Sequence, residues 1–200
     1  GDVTLSIHSD ADKFLDNIDL SVPNKSKIRL PRPYDVMANV ADHPLAITDT
    51  PVYWEIPRSG STTMMNIAAT CFAKVVASEV GELDGRATDA TLQIIAKEYG
   101  NFVNVDTTRP NGIARAQKLG LIPSRIAGAI FSSYAYEISS LFDHKHKGRF
   151  FTMMRDPISR IVSMYYYQQV QGLLPSEDTT IVQFVATKED NWMTRMLGNK

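Results

Sequence analysis

A single cysteine, Cys71, stands among 200 residues, which excludes an intrachain disulfide framework. It falls in an apolar helical pattern with no base beside it, so a buried core thiol is expected rather than a nucleophile. No run is long and apolar enough to cross a bilayer. An excess of either charge is also missing: 21 Lys and Arg stand against 22 Asp and Glu. The chain as a whole therefore has no electrostatic pull towards nucleic acid or an anionic membrane, and no nucleic-acid partner is expected. Glycine is scarce where nucleotide loops need it. Neither the dinucleotide pattern G-x-G-x-x-G nor the Walker pattern G-x-x-x-x-G-K-[ST] occurs. No cluster of His, Cys, Asp and Glu suggests a metal site, and internal repeats and low-complexity tracts are absent.

What is present suits one globular domain. Hydrophobic residues make up 44% and charged residues 22%, and the length is enough to bury a sizeable core. Charge is unevenly placed. Between residues 109 and 160, nine Lys and Arg face three acids, Glu137, Asp143 and Asp156. Such an excess can guide an anionic ligand, and is equally the pattern of a solvated surface. The chain opens Gly1-Asp2 without Met, as a trimmed or processed product would. Asn24-Lys25-Ser26 is a glycosylation sequon, a common triplet and so a weak pointer to a secretory route.

Periodicity and punctuation set the expected elements. Residues 1–50 read as an extended lead-in, with a short helix at 11–20 and Pro23, Pro31, Pro33 and Pro44 breaking anything longer. Residues 51–200 read as the folded domain. Strands are predicted at 52–56, 101–105, 125–131 and 149–154. The stretch 62–80 carries Met65, Ala68, Ala69, Phe72, Val75, Val76 and Val80 at helical spacing, with Gly81 as its stop. Residues 89–99 look helical through Leu92, Ile95 and Ala96. Residues 110–119 form a helix with Pro near its start and Gly120 after its end. Ser132 and Ser133 suit the cap of another, running to Leu141 or Phe142. Residues 144–149 are a basic loop, and further helices are predicted at 157–171, 179–186 and 191–197. This alternation implies an α/β fold, a three-layer sandwich with a central parallel sheet covered on both faces.

Two segments concentrate the chemistry. Tyr53-Trp54-Glu55-Ile56-Pro57-Arg58-Ser59-Gly60-Ser61-Thr62-Thr63 is one. Phe150-Phe151-Thr152-Met153-Met154-Arg155-Asp156-Pro157, followed by Arg160 and Ser163, is the other. Each reads as an apolar strand, a polar turn and a helix start, a junction that aims backbone N–H groups and a positive dipole end at one point. In the first, Gly60 lets the backbone approach a ligand without a Cβ in the way. Ser59, Ser61, Thr62 and Thr63 bring hydroxyls, and Arg58 brings a planar cation suited to paired oxygens. That set fits a phosphate or sulfate about as well as it fits a plain polar cap. In the second, taken alone, Arg155 paired with Asp156 or another carboxylate, and Ser163 as a packing residue, is the stronger reading. Two such junctions in one chain point to a ligand that is anionic at both ends.

Together, Pro57-Arg58-Ser59-Gly60-Ser61-Thr62-Thr63 and the later Arg155-Asp156-Pro157-x-x-Arg160-x-x-Ser163 resemble the sulfotransferase superfamily. Its members use 3′-phosphoadenosine 5′-phosphosulfate (PAPS) and release 3′-phosphoadenosine 5′-phosphate (PAP). A less specific third segment, Asp190-Asn191-Trp192-Met193-Thr194-Arg195-Met196-Leu197, is similar to one in membrane-anchored glycan O-sulfotransferases. The resemblance spans roughly residues 52–200. It implies a P-loop-NTPase-like sulfotransferase fold, with Arg58, Ser59, Gly60, Ser61, Thr62 and Thr63 on the 5′-phosphosulfate and Arg155 and Ser163 on the 3′-phosphate. Arg58, where many members carry Lys, would stabilise the leaving group. The implied acceptor is a hydroxyl, first of all that of a glycan. The implied setting is the Golgi lumen, with a membrane anchor outside this chain. Family domains usually continue past the third segment, so a domain ending at Lys200 is expected to be a fragment or a minimal version.

Sulfuryl transfer, like phosphoryl transfer, needs in-line geometry, charge stabilisation on oxygen and a base for the hydroxyl proton. Family enzymes use a His or Glu, often near the end of a middle strand, and the matching stretch 128–136 has no His. Glu137, Glu55, His144, His146 and His43 are the candidates, and the sequence does not choose among them. Trp54 suits either adenine stacking or a buried strand, and one or two of Tyr165, Tyr166 and Tyr167 suit a pocket. Met64, Met65, Met153 and Met154 are expected in the core. Two other functions keep a place: a nucleotide kinase of related architecture, weakened by the missing Walker lysine, and a non-catalytic nucleotide-binding module.

Overall fold

The computed structural model describes residues 32–41, 44–176, 178–188 and 192–198. The expected helix at 11–20 and His43 lie outside them, as does most of the lead-in. Six strands form one sheet: β1 Thr50–Trp54, β2 Val75–Ala77, β3 Ile94–Lys97, β4 Gly100–Val103, β5 Ala129–Ser132 and β6 Gly148–Phe151, in the order β3-β4-β2-β5-β1-β6. Neighbours are parallel except β3 and β4, which are antiparallel. The helices are α1 Ser61–Asn66, α2 Pro110–Lys118, α3 Leu121–Ser124, α4 Ala135–Ser139, α5 Pro157–Val170, α6 Ile181–Ala186 and α7 Trp192–Gly198. The fold is α/β with a mostly parallel central sheet flanked by helices.

Successive strand residues point to opposite faces, and here both faces are covered. Val52, Ala77, Val103 and Ile130 pack with Ile113 and Ala116 of α2, Leu121 and Ile122 of α3, and Ile138 of α4. Their chain neighbours Tyr53, Val76, Phe102 and Phe131 pack with Met65 of α1 and Ala69. Double burial explains why the central strands read as short continuous apolar runs.

The predicted helix over 62–80 is corrected. α1 ends at Asn66 and gives way to a π-helical turn, Ile67–Cys71, where the Thr70 hydroxyl donates to the Asn66 carbonyl at 2.6 Å. Ala73, at φ 48°, then turns the chain into β2. The β-branched pair Val75 and Val76 suits a pleated, buried strand better than a helix. Gly81 is no helix stop. It lies in a 3-10 turn, Glu79–Glu82, packed so closely that a Cβ would fall 1.8 Å from the Val103 carbonyl oxygen. Cys71, expected in the core, is exposed.

The predicted helix over 89–99 is also corrected. It holds β3, which turns through Glu98-Tyr99 to pair Lys97 with Gly100 of β4, a two-residue hairpin. Leu92, Ile95 and Ala96 mimic helical spacing over too few turns to distinguish the two. The strand expected from 125 starts only at Ala129, because α3 fills 121–124 and Arg125 turns at φ 57°. Ser132 and Ser133 do not cap α4; Tyr134 is its N-cap residue, without a side-chain cap bond. α2 and α5 start at Pro110 and Pro157 as expected, α5 with Asp156 accepting from the Ser159 N–H at 2.8 Å. Part of the basic excess is structural: Arg115 donates to the carbonyls of Asn104 and Asp89, Arg125 to that of Ile47, and Arg149 to the Asp49 carboxylate.

Candidate functional site

β1 and β6 are hydrogen-bonded parallel neighbours, with Thr50 opposite Gly148 and Tyr53 opposite Phe151. The Thr152 hydroxyl extends that tie past the strand ends by donating to the Trp54 carbonyl at 2.7 Å. Parallel partners deliver their following turns to the same sheet edge, about 5 Å apart. The two junctions therefore emerge side by side. Arg58 Nε donates to Ser163 Oγ at 3.3 Å, and Arg155 Nη1 donates to the Arg58 carbonyl at 3.2 Å. Met153 closes in on Gly60, its Cε 3.5 Å from where a Cβ would stand. Arg58, Gly60, Arg155 and Ser163 thus share one locality.

The loop is bent hard. Arg58 has φ 66° and Gly60 φ 95°. The second value asks for glycine, and the first holds a non-glycine residue in a costly left-handed conformation. Gly60 is the N-cap of α1 and, being glycine, offers no side chain to cap it. Ser59 is buried, 4% exposed, and its Oγ has no hydrogen-bond partner among the described residues. Ser61 is half-buried beside the Tyr53 phenol, whose pKa is raised by burial, while Thr62 and Thr63 are exposed.

The guanidinium of Arg58 lies 4.4 Å from the ring centroid of Tyr167, a cation–π arrangement. Among the described residues, neither Arg58 nor Arg155 forms an ion pair. Asp156 is occupied as the cap of α5, and hydrogen bonds from Ser159 hold its carboxyl below the usual range. The pairing of Arg155 with Asp156, the simpler expectation, is not formed.

Other expectations resolve. Trp54 is buried, and its Nε1 donates to the Ser133 carbonyl at 3.1 Å; it has no face for a base. Tyr165 packs on Phe184 of α6 and donates to the Thr179 carbonyl, leaving Tyr167 as the ring that meets the loop. Met65 is in the core, but Met153 and Met154 are 42% and 76% exposed, against expectation. His144 is exposed and His146 leans on Asp143 at 3.1 Å. Both precede β6, at the opposite sheet edge from the junctions. Glu137 belongs to α4 and lies near Tyr34.

Glu55 is different. It follows β1 at the junction edge, its N–H donating to the Ser132 carbonyl at 2.9 Å and its carbonyl accepting from Ser133 Oγ at 3.0 Å. The Thr107 hydroxyl donates to the carbonyls of Ala77 and Phe131, at 3.0 and 2.8 Å. That brace lays the segment after β4 across the ends of β2 and β5. Asp106 and Glu79 come near Glu55 in consequence. Burial first, and then these two carboxylates, push the Glu55 carboxyl up to about 7. A cleft of about 520 Å³ opens beside them, bordered by Glu79, Glu82, Asp106, Arg109, Asn111 and Arg115. Asp106, Thr107 and Glu79 escaped the sequence reading. The polar stretch Asp106-Thr107-Thr108 shortly after a strand was the available signal, whereas Glu79 was hidden inside a mistaken helix.

Among the described residues, no three His, Cys, Asp or Glu side chains group to hold a metal ion. No protein-family model, curated protein or solved structure matches the chain.

Proposed function

We propose that the chain is a PAPS-dependent sulfotransferase of the P-loop-NTPase-like fold, transferring a sulfuryl group to an acceptor hydroxyl, first of all that of a glycan. The observation that carries this reading is the meeting of two turns from adjacent strands, where the Arg58 guanidinium donates to Ser163, the Arg155 guanidinium donates to the Arg58 backbone carbonyl, and neither side chain has an ion pair among the described residues. Cations normally find carboxylates when they are part of a scaffold; two left without ion pairs at one sheet edge suit a dianionic ligand. The buried Ser59 hydroxyl, without a partner among the described residues, supports it further, since such groups are rarely left unsatisfied without a purpose. So does the left-handed Arg58, because strain of this kind clusters at functional sites.

On this reading Arg58, Ser59, Gly60, Ser61, Thr62 and Thr63 hold the 5′-phosphosulfate, and Arg155 and Ser163 hold the 3′-phosphate. The nucleotide supplies an activated sulfuryl group and a phosphate leaving group. Arg58 and the loop steady charge on the departing oxygen, and preorganised donors of that kind contribute ~3 kcal/mol each. A Golgi-lumen setting and an anchor outside the chain belong to the same proposal.

Calorimetry with PAP and with ATP, followed by labelled-sulfate transfer to a glycan panel, tests it. PAP binding with transfer is the expected result. Binding of ATP in preference to PAP favours a nucleotide kinase, and PAP binding without transfer to any acceptor favours a non-catalytic module. Failure to bind PAP overturns the proposal.

A further inference from the structure

We infer that Tyr167 is a positioning residue for Arg58: its ring holds the guanidinium by the face, so that the in-plane N–H groups stay available to the 5′ end of the nucleotide. The inference rests on the sulfotransferase reading above, in which Arg58 steadies charge on the departing oxygen. The guanidinium carbon of Arg58 lies over the Tyr167 ring, 4.4 Å from its centroid, and Nε of the same group donates to Ser163 Oγ at 3.3 Å. Ser163 and Tyr167 stand at i and i+4 on α5 and so share one helix face. Both contacts therefore reach Arg58 from a single element. The start of that element is fixed: Pro157 opens α5, and Asp156 caps it by accepting from the Ser159 N–H at 2.8 Å.

The backbone of Arg58 is held from the same side, by Arg155 Nη1 donating to its carbonyl at 3.2 Å. Arg155, Ser163 and Tyr167, all after β6, thus grip Arg58 at its carbonyl, its Nε and its guanidinium face. Core packing does not call for an aromatic at this position. Tyr167 is 44% exposed, and α5 has no buried residue.

The kind of restraint matters to the chemistry. A carboxylate would hold Arg58 by taking up its N–H donors and cancelling its charge. An aromatic face attracts the cation through the ring quadrupole and leaves both donors and charge for a ligand. Apart from Nε, the donors of the Arg58 side chain have no hydrogen-bond partner among the described residues. Ordering a free arginine side chain on binding weakens affinity, and a ring that orders it beforehand removes part of that loss.

The test is a double-mutant cycle in PAP binding, measured by calorimetry on wild type, Tyr167→Leu, Arg58→Gly and the double variant, with Tyr167→Phe as the variant that keeps the ring. Tyr167→Leu is expected to weaken PAP binding about fivefold, and Tyr167→Phe to stay within about twofold of wild type. On the Arg58→Gly background, Tyr167→Leu should change affinity by less than about twofold, because the group it positions is gone. Tyr167→Gln, a good helix former, carries the same expectation and takes the place of the Leu variant if that one folds poorly. An equal loss on both backgrounds means helix packing rather than positioning and overturns the inference. Undiminished affinity in Tyr167→Leu, or a Phe variant as weak as Leu, overturns it as well, and the sulfotransferase reading stands in each of these cases. A wild-type protein that does not bind PAP overturns both.

Discussion

Arg58 and Ser163 lie 105 positions apart in the chain and 3.3 Å apart in space, Nε to Oγ. The contact follows from strand order: β1 and β6 are partners, so whatever follows one must meet whatever follows the other. Arg155 reinforces the meeting through the Arg58 carbonyl.

On the proposed reading, Arg155→Ala should weaken PAP binding by ~2 kcal/mol, about thirtyfold, through loss of the charged contact proposed to the 3′-phosphate. Arg155 is exposed and holds one backbone carbonyl of the loop, so the melting temperature should hardly move. Calorimetry beside thermal unfolding separates the effects; undiminished affinity would remove Arg155 from the site.

Arg58→Gly should split stability from binding. Relief of a left-handed backbone at φ 66° gains ~1 kcal/mol or slightly more, partly offset by the lost Ser163 bond and Tyr167 contact. Unfolding free energy should therefore be level or higher, while PAP affinity falls by ~2 kcal/mol. Denaturant titration and calorimetry on the same preparation check this. A variant that is both less stable and undiminished in binding would contradict it.

Asn104→Ala should be among the costly single changes. Asn104 is wholly buried, accepts from the Gln93 N–H at 2.8 Å, and donates to the Asp89 carboxylate at 2.8 Å and the Thr91 carbonyl at 3.0 Å. Stranding those partners costs ~3 kcal/mol. The urea midpoint reports it, and a loss below ~1 kcal/mol would mean that water replaces the side chain.

Glu55 makes stability depend on pH in a defined sense. Its folded-state pKa is raised from the ordinary 4.5 to about 7, by burial first and then by Glu79 and Asp106. A raised pKa means that folding favours the protonated form, so its contribution is full below the unfolded value and is lost as pH rises through the folded one. Glu55→Gln should match wild type near pH 4 and exceed it by ~3 kcal/mol at pH 8. Melting temperature against pH measures this, and a gap that does not widen from pH 4 to 8 would refute it.

Much of the scaffold was legible because local signals and tertiary demand agreed. Pro110 and Pro157 open helices where a fixed φ is an asset, and the two strand–turn–helix segments announce themselves by an abrupt change from apolar to polar residues. β2 and β3 were not legible. Val75 and Val76 continue a helical spacing begun at Met65, and what ends the helix is a π-helical turn and a left-handed Ala73, neither of which composition reveals. β3 is a short edge strand whose pairing with β4 depends on a turn of ordinary residues, Glu98-Tyr99. At the site, the residue types were readable while their neighbours were not. The closeness of Glu55 to Asp106 depends on Thr107 bridging two strand ends, a long-range bond with no sequence periodicity.

β6 occupies the rim of the sheet, with β1 on one flank and the isolated Met37–Gly148 bridge beyond it. Peripheral strands detach at lower free energy than central ones. A brief lifting of β6 would carry Arg155 and Ser163 away from Arg58 while Val76, Phe102 and Ile130 stayed packed. Recognition would then fail on warming before the chain melts. A molecule gripping both sides of that seam would act as a clasp, slowing amide exchange along residues 148–151 far more than at the centre.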